Sequence, residues 1–301
     1  MCAVDLNRIS WHGWPDCIQI ANQQSEVVVV PAIGRIMHIG LKGDPEGAFW
    51  QNRALNGMLP EPSSGEWMNF GGDKCWPAPQ SDWPLHQGRE WPPPAAFDAS
   101  PHEAALIDNS VLLTSPVDPN FGIQAVRNIE LDSARPVMRI RTEFHKILGE
   151  PLNGSIWTIT QLRDPERAFM LLPEKPGFSA GDIRLMSGEP AKMQVDGRLA
   201  SLARHKSQAV KIGSEAASLA WIGRNCAVRI DVERGVGEYP DGGCVTEVYT
   251  NPDPLPYVEL ETLGPLATMK LGDSIALTTT YTIMPRSTAD PQAEARRAFL
   301  E

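Results

Sequence analysis

Apolar residues alternate with polar ones along most of the chain, and this period of two limits the possible folds more than any other sequence feature. In residues 136–147, Met138, Ile140 and Phe144 fall on one face of an extended strand, and charged side chains fall on the other. Gly, Pro, Asn and Asp separate such segments, so we expect short strands joined by turns. The other segments predicted as strands are EVVVVPAIGRIMHIGL, SVLLTSPV, GIQAVRNIEL, SIWTITQL, AFMLLP, QAVKIG, ASLAWIG, CAVRIDVE, CVTEVYT, YVELETL and SIALTTTYTI.

Helix signals are scarce. A start signal followed by good helix formers predicts a short C-terminal helix near residues 289–301. The chain has no internal repeat and no low-complexity linker that would divide it. Many strands without crossover helices predict an all-β protein, a large antiparallel β-sandwich formed as a single domain by residues 1–301.

Charge and composition exclude several classes of partner. The formal net charge is −10, which repels the phosphates of nucleic acid. No apolar run reaches the roughly 18 residues of a membrane span, so no membrane contact is expected. The N-terminus lacks the pattern of a secretory signal, and the five cysteines form no disulfide framework. A cytoplasmic location is therefore predicted.

The sequence carries no motif for a metal ion or a nucleotide. The six histidines have no spacing typical of metal ligands, and no glycine-rich phosphate loop joins a strand to a helix. We therefore expect neither a metal nor a cofactor. Nothing in the sequence indicates the oligomeric state.

Residues 67–98 hold four tryptophans and six prolines. Prolines forbid a long helix and fix the backbone, so we expect a stiff loop. Indole faces can stack on the C–H faces of a sugar, and Gly71 and Gly72 allow close backbone approach. Asp73 and Lys74 would then supply polar groups at the wall of a pocket. Alternatively, the tryptophans only cover an exposed end of the sandwich.

The segment YVELETL places Glu259 and Glu261 on one face of a strand, roughly 7 Å apart. Two carboxyl groups in one cleft oppose each other's ionisation, which suits acid–base chemistry. The alternative is a solvated strand face whose glutamates keep the protein soluble.

Three segments carry a resemblance to a known family. They are PAIGRIMHIGLKGDPEGAFWQN, NFGGDKCWPAPQ and YVELETLGPLATMKLGDSIALTTTYTI. They resemble bacterial proteins of the galactose mutarotase-like superfamily, the superfamily of the aldose 1-epimerases. The resemblance is closest to a DUF4380-type branch with the signature G-G-D-K-x-W-P-A-P-Q, and it covers roughly residues 20 to 285. It implies a supersandwich, a large β-sandwich whose curved sheet binds a monosaccharide.

The resemblance also implies a catalytic base. In mutarotases, a glutamate in a strand reading apolar-Leu-Glu-Thr is the general base, and a histidine is the general acid. Leu260-Glu261-Thr262 matches this strand, which favours Glu261 over Glu259 as the base. The strand comparable to that of the histidine has Trp157 instead.

The general acid is therefore left open, because an indole cannot donate and retake a proton as an imidazole does. Lys74, Asp73 and His86 are the alternatives.

Two functions follow from these patterns. The first is sugar epimerisation or mutarotation, and the second is carbohydrate binding without catalysis. A third alternative is a protein contact made by the tryptophans. The catalytic candidates are Glu261, Glu259 and Lys74. The candidates for contact with a small carbohydrate are Asp73, Trp76, Asn69, His86 and Trp157.

Overall fold

Two antiparallel sheets pack face to face in the computed structural model, which describes residues 4–62, 65–175, 177 and 183–300. The strands in chain order are β1 (Asp5–Trp11), β2 (Trp14–Ala21), β3 (Ser25–Val30), β4 (Arg35–Leu41), β5 (Asp73–Ala78), β6 (Glu103–Ile107), β7 (Ser110–Thr114), β8 (Ile123–Leu131), β9 (Val137–Lys146), β10 (Leu152–Arg163), β11 (Arg167–Leu171), β12 (Arg184–Ser187), β13 (Met193–Asp196), β14 (Leu199–Leu202), β15 (Val210–Ser214), β16 (Ser218–Ile222), β17 (Cys226–Val232), β18 (Thr246–Thr250), β19 (Tyr257–Leu263), β20 (Ala267–Met269) and β21 (Ser274–Pro285). The α-helices are α1 (Trp83–Gln87), α2 (Ala95–Asp98), α3 (Pro240–Gly243) and α4 (Pro291–Leu300).

The first sheet carries the features that matter for function. Its strand order is β1-β2-β3-β4-β5-β10-β19-β18-β15-β12, and β20 pairs with β10. The second sheet has the order β13-β14-β11-β16-β17-β21-β9-β8-β7-β6. Each pair of neighbouring strands in these two orders is antiparallel, which confirms the predicted antiparallel β-sandwich.

The main core lies between the sheets and follows the alternation in the sequence. On β9, Met138, Ile140 and Phe144 are buried, whereas Arg139 and Arg141 are exposed on the other face. These apolar faces meet those of the first sheet, for example Leu260 on β19 and Ile212 on β15. Burying apolar surface between two sheets is the main source of stability in a sandwich. Helix α4 covers the outside of β16 and β17 through Ala295 and Ala298.

Residues 67–98, predicted to be a stiff loop, contain regular secondary structure. They contain β5 and the short helices α1 and α2. A proline inside a strand removes a backbone donor, and Pro77 stands in β5 between two neighbours of the sheet. It is accommodated because, among the described residues, β5 pairs with β4 only through Asp73 and Ile36. The rest of its pairing is with β10.

Among the residues that the structure describes, no helix combines the length and the apolar character needed to cross a bilayer.

Candidate functional site

A cavity of about 310 Å³ opens on the face of the first sheet that points away from the second sheet. Its volume is at the lower end of the range for small-molecule sites. Six of its residues are aromatic, and its charged residues are two glutamates and one lysine. The lining residues are Trp67, Trp76, Gln80, Trp91, Trp157, Lys211, Tyr249, Asn251, Tyr257, Glu259 and Glu261.

A larger recess of about 520 Å³ lies elsewhere, beside Arg286. It is a shallow surface feature, and the guanidinium of Arg286 already pairs with the carboxylate of Glu166. The smaller cavity is the better candidate because buried ionisable groups converge on it.

Strand β19 supplies both glutamates of the cavity. Glu259 and Glu261 are two positions apart, so they share one face of the strand. Glu259 lies opposite Gln161 of β10, whose Nε2 donates a hydrogen bond of 2.9 Å to Glu259 Oε1. Glu261 lies opposite Glu247 of β18. Glu259 and Glu261 thus lie on one face of β19, Glu261 fully buried and Glu259 13% exposed, and Glu247 is a third acid beside them.

Lys211 of β15 connects these acids. Its Nζ lies 2.8 Å from Glu261 Oε2 and 2.6 Å from Glu247 Oε2. It also lies 4.7 Å from the ring centroid of Trp157, within the range of a cation–π contact. Burial alone would lower the pKa of Lys211, but the two carboxylates outweigh burial and raise it. Lys211 is therefore a permanent cation in this site.

Glu247 sits below Lys211 and is fully buried. Burial raises the pKa of Glu247 well above its ordinary value, although the charge of Lys211 opposes this effect. Interaction with Glu261 raises it further. The raised pKa of Glu247 reduces the negative charge that Lys211 has to balance.

Trp157 holds Glu261 from the other side. Its Nε1 donates a hydrogen bond of 2.6 Å to Glu261 Oε2, the oxygen that also contacts Lys211. The residue that replaces the expected histidine is therefore in direct contact with the predicted base. It can orient the carboxylate, but it cannot carry a proton to a ligand.

Lys74 lies under the cavity floor next to Glu259. Its side chain is fully buried, with Nζ at 3.9 Å from Glu259 Oε1 and 5.0 Å from the ring centroid of Trp76. Its ammonium has no hydrogen-bond partner among the described residues. Burial, helped by the charge of Arg35, lowers the pKa of Lys74 to about 8. Burial likewise raises the pKa of Glu259 to about 7, although Lys74 opposes this shift.

Asp98 at the end of α2 fixes the tryptophan wall. Its Oδ2 accepts a hydrogen bond of 2.8 Å from Trp67 Nε1, and its Oδ1 accepts one of 3.0 Å from Trp76 Nε1. Arg35 donates to Oδ1 over 2.7 Å, which balances the buried charge of Asp98. Trp91, 43% exposed, packs edge-on against Trp67 with centroids 4.9 Å apart. Hydrogen bonds to Asp98, behind the cavity wall, thus fix the orientations of Trp67 and Trp76.

The sequence of residues 16–209 matches a family described as a domain of unknown function, DUF4380. The chain belongs to the DUF4380 family. The matched region includes Lys74, Trp76 and Trp157, and it ends before Lys211, Glu259 and Glu261. No curated protein matches this DUF4380 chain.

Solved structures show that this DUF4380 protein has the galactose mutarotase-like fold. A galactose mutarotase-like protein from Lactobacillus casei superposes with a TM-score of 0.57 at 9% identity, covering 89% of this chain and 100% of the other. A galactose mutarotase related enzyme from Lactobacillus acidophilus gives 0.54 at 11%, with 91% and 98% covered. A candidate aldose 1-epimerase from Escherichia coli gives 0.53 at 11%, with 94% and 100% covered. Identities this low establish the fold alone.

Some of the residues predicted for the site of this DUF4380 protein meet in the cavity. Glu259, Glu261, Trp76 and Trp157 line it, and Lys74 lies directly beneath. Asn69 is buried beside the hydroxyl group of Tyr257. That tyrosine lines the cavity, and burial raises its pKa, so its hydroxyl group stays protonated.

Asp73 and His86 lie away from the cavity. Asp73 points between the sheets, because neighbouring residues of a strand face opposite sides and Lys74 takes the cavity side. It forms a buried ion pair with Arg127 and accepts hydrogen bonds of 2.7 Å from both Thr160 Oγ1 and Tyr281 Oη. His86 in α1 packs its ring against Phe121, with centroids 4.7 Å apart.

Several residues of the site were absent from the sequence prediction, among them Lys211, Glu247, Tyr249 and Asp98. Lys211 stands on the polar face of a predicted strand, and Glu247 stands in another, so each position was consistent with a site. What the sequence did not reveal was that β15, β18 and β19 are neighbours. Among the described residues, no three Cys, His, Asp or Glu side chains are grouped to hold a metal ion.

Proposed function

We propose that this protein binds a small sugar in the aromatic cavity and interconverts its anomers, with Glu261 as general base and Glu259 as general acid. The observation that carries the proposal is the pair of glutamates on one face of β19 in unlike surroundings. Trp157 and Lys211 donate to Glu261, which favours its role as a proton acceptor. Burial raises the pKa of Glu259 to about 7, which suits a proton donor.

In the proposed reaction, Glu261 takes the proton of the anomeric hydroxyl group while Glu259 protonates the ring oxygen. The bond between the anomeric carbon and the ring oxygen breaks, and an open-chain aldehyde forms. After rotation about the adjacent C–C bond, the ring oxygen attacks the other face of the aldehyde. Glu259 then recovers its proton from the ring oxygen, and Glu261 returns its proton to the anomeric oxygen. Both residues end as they began.

The aromatic lining supports a sugar as ligand. Sugars present flat C–H faces edged by hydroxyl groups, and indoles provide flat apolar surfaces with one polar edge. The indole nitrogens of Trp67 and Trp76 are occupied by Asp98, so these rings offer their faces to a ligand. Asn251, Gln80 and Tyr249 add polar groups to the lining.

The second candidate function is sugar binding without catalysis. The contact between Trp157 and Glu261 favours it, because an indole stands where mutarotases are expected to have their acid, and it occupies one oxygen of the proposed base. In that case the acids would only bind hydroxyl groups.

The test is the rate at which freshly dissolved α-glucose and α-galactose change optical rotation with and without the protein. We expect acceleration that falls by at least about a hundredfold in Glu261→Gln and in Glu259→Gln, the usual contribution of general acid–base catalysis. Glu143→Gln, on the outer face of β9 in the second sheet, is the matched control and should keep full activity.

Tryptophan fluorescence separates the two candidates. Saturable quenching by sugars without acceleration would support the binding protein and exclude the enzyme. Neither quenching nor acceleration would overturn both.

A further inference from the structure

The ionisable groups at the cavity are unequal in number. Five acids lie in or next to it, namely Asp98, Asp241, Glu247, Glu259 and Glu261, against the three basic residues Arg35, Lys74 and Lys211. Burial raises the pKa of Asp241, Glu247 and Glu259, so the negative charge is smaller than the number of acids. The lining itself contains two glutamates, one lysine and no arginine.

Neither lysine is free to receive an anion. Lys211 Nζ forms ion pairs with Glu247 at 2.6 Å and Glu261 at 2.8 Å, and it makes a cation–π contact with the ring of Trp157. Lys74 is fully buried below the floor, and its Nζ lies 3.9 Å from Oε1 of Glu259, a residue of the lining. A phosphate or carboxylate group of a ligand would face Glu259, Glu261 and aromatic rings, and Lys211, the one cation among the described residues of the lining, already pairs with two acids. Desolvating the anion there would be costly.

An ammonium group would find partners in the same place. Glu259 has 13% of its side chain exposed and faces the cavity, and its Oε1 contacts Gln161. The faces of Trp67 and Trp91 attract cations through their ring quadrupoles. Both lysines of the site already rest on indoles in this way, at 4.7 and 5.0 Å from the ring centroids. The site is therefore suited to a third ammonium group, brought by the ligand.

We propose that the natural ligand of this cavity is an amino sugar, held by Glu259 and the indole faces through its ammonium group, and that phosphorylated and acidic sugars are excluded. This inference rests on the proposed sugar-binding function and adds the class of sugar. It concerns binding: Glu259 recognises the ammonium group as a carboxylate, the form that a neighbouring cation favours, and not as the protonated acid of the proposed reaction.

The experiment measures Kd by tryptophan quenching at pH 7 and low salt for glucosamine, glucose, N-acetylglucosamine and glucose 6-phosphate. Glucosamine is expected to bind roughly tenfold more tightly than glucose, the worth of one charged hydrogen bond. N-acetylglucosamine has a substituent at the same carbon without the charge, so it should lose this advantage. Glucose 6-phosphate should bind more weakly than glucose.

Glu259→Gln keeps the shape of the side chain and removes its charge, so the preference for glucosamine over glucose should fall to the smaller part that the indole faces supply. Glu143→Gln, far from the cavity, should retain the preference for glucosamine. Equal Kd values for glucosamine and glucose in the unmodified protein would overturn the inference and leave the sugar-binding proposal intact. Preferential binding of glucose 6-phosphate would do the same. If none of the four sugars quenches the fluorescence saturably, the inference and the proposed function both fail.

Discussion

At the scale of single residues, the ammonium of Lys74 controls the proton on Glu259. The two groups are 3.9 Å apart and shielded from water, so their charges interact more strongly than they would at the surface. Besides Lys74, the groups that act on Glu259 are Glu261, Lys211 and Gln161. A positive neighbour stabilises the carboxylate, so Lys74 opposes the rise that burial produces, and the pKa of Glu259 comes to about 7 with both effects present.

Lys74→Met removes the charge and keeps the length of the side chain. The pKa of Glu259 should then rise above about 7, and Glu259 should stay protonated to higher pH. The measurement is a pH titration of the ¹³C-labelled glutamate carboxyl signals, with Glu259 assigned from the Glu259→Gln variant. Lys270→Met at an exposed position is the control and should leave the titration unchanged. An unchanged titration in Lys74→Met would show that the two groups do not interact.

Substitution of Asp98 should alter the cavity indirectly, through Trp67 and Trp76, which donate hydrogen bonds to it. Asp98→Asn replaces one of the two carboxylate oxygens that accept from Trp67, Trp76 and Arg35, and it leaves the arginine buried without a counter-charge. We expect a loss of about 3 kcal/mol in the free energy of unfolding, which is typical of a broken buried ion pair. Denaturant unfolding measures the loss, and near-ultraviolet circular dichroism reports the indoles.

The control for this change is Asp5→Asn on the exposed edge strand β1, which should alter neither signal. A normal stability and an unaltered dichroism spectrum in Asp98→Asn would mean that the tryptophan wall is held by packing alone.

At the scale of elements, β5 depends on a tight entry into the sheet. Gly72 precedes the strand with a φ of +72°, and a Cβ there would lie 2.4 Å from the backbone oxygen of Ile36. Gly88 after α1 has a φ of +71° with no heavy atom within 4 Å of the same position. The two glycines therefore share the same backbone strain and differ in free space.

Alanine substitution at both positions separates strain from crowding. Gly88→Ala should cost about 1 kcal/mol from the left-handed backbone alone. Gly72→Ala should lower the free energy of unfolding by at least about 3 kcal/mol, since the backbone oxygen of Ile36 must also move away from the new Cβ. Urea unfolding of the two variants gives the comparison. Equal losses would mean that β5 can shift at no cost and that its position is not fixed by Gly72.

The elements also show what a sequence can and cannot predict here. The strands β9, β17 and β21 were predictable because one face of each meets the core, so alternation reports their burial. Strand β19 alternates in polarity instead, because its second face carries the acids of the cavity, although six of its seven residues are buried. Strand β5 was not predictable, because residues 73–78 are buried on both faces and contain a proline, which leaves no alternation to detect. The Glu259–Glu261 pair was predictable as a local feature of one strand. Its connection to Lys211 was not, since strand order is set by contacts distant in sequence.

At the scale of the whole molecule, the buried pair Lys74 and Glu259 should make stability depend on pH in an unusual way. The pKa of Glu259 is raised from 4.5 to about 7, so the folded protein holds a proton that the unfolded chain releases. Its contribution to stability is complete below about pH 4.5 and is lost as the pH rises through about 7. The pKa of Lys74 is lowered from 10.5 to about 8, so the unfolded chain binds a proton that the folded protein releases. Its contribution therefore rises between about pH 8 and 10.5.

The two effects together predict a minimum in stability between about pH 7 and 8, where the site holds both charges away from water. The double variant Lys74→Met/Glu259→Gln has no ionisable group at either position and should lack this minimum. The free energy of unfolding in urea, measured at pH 5, 7.5 and 10 for both proteins, isolates the pair, because other groups such as His102 cancel in the difference. We expect the difference, unmodified protein minus variant, to be lowest at pH 7.5. A difference that is constant or highest at pH 7.5 would show that the pair is stabilised as ions, and that Glu259 is not available as a proton donor near neutral pH.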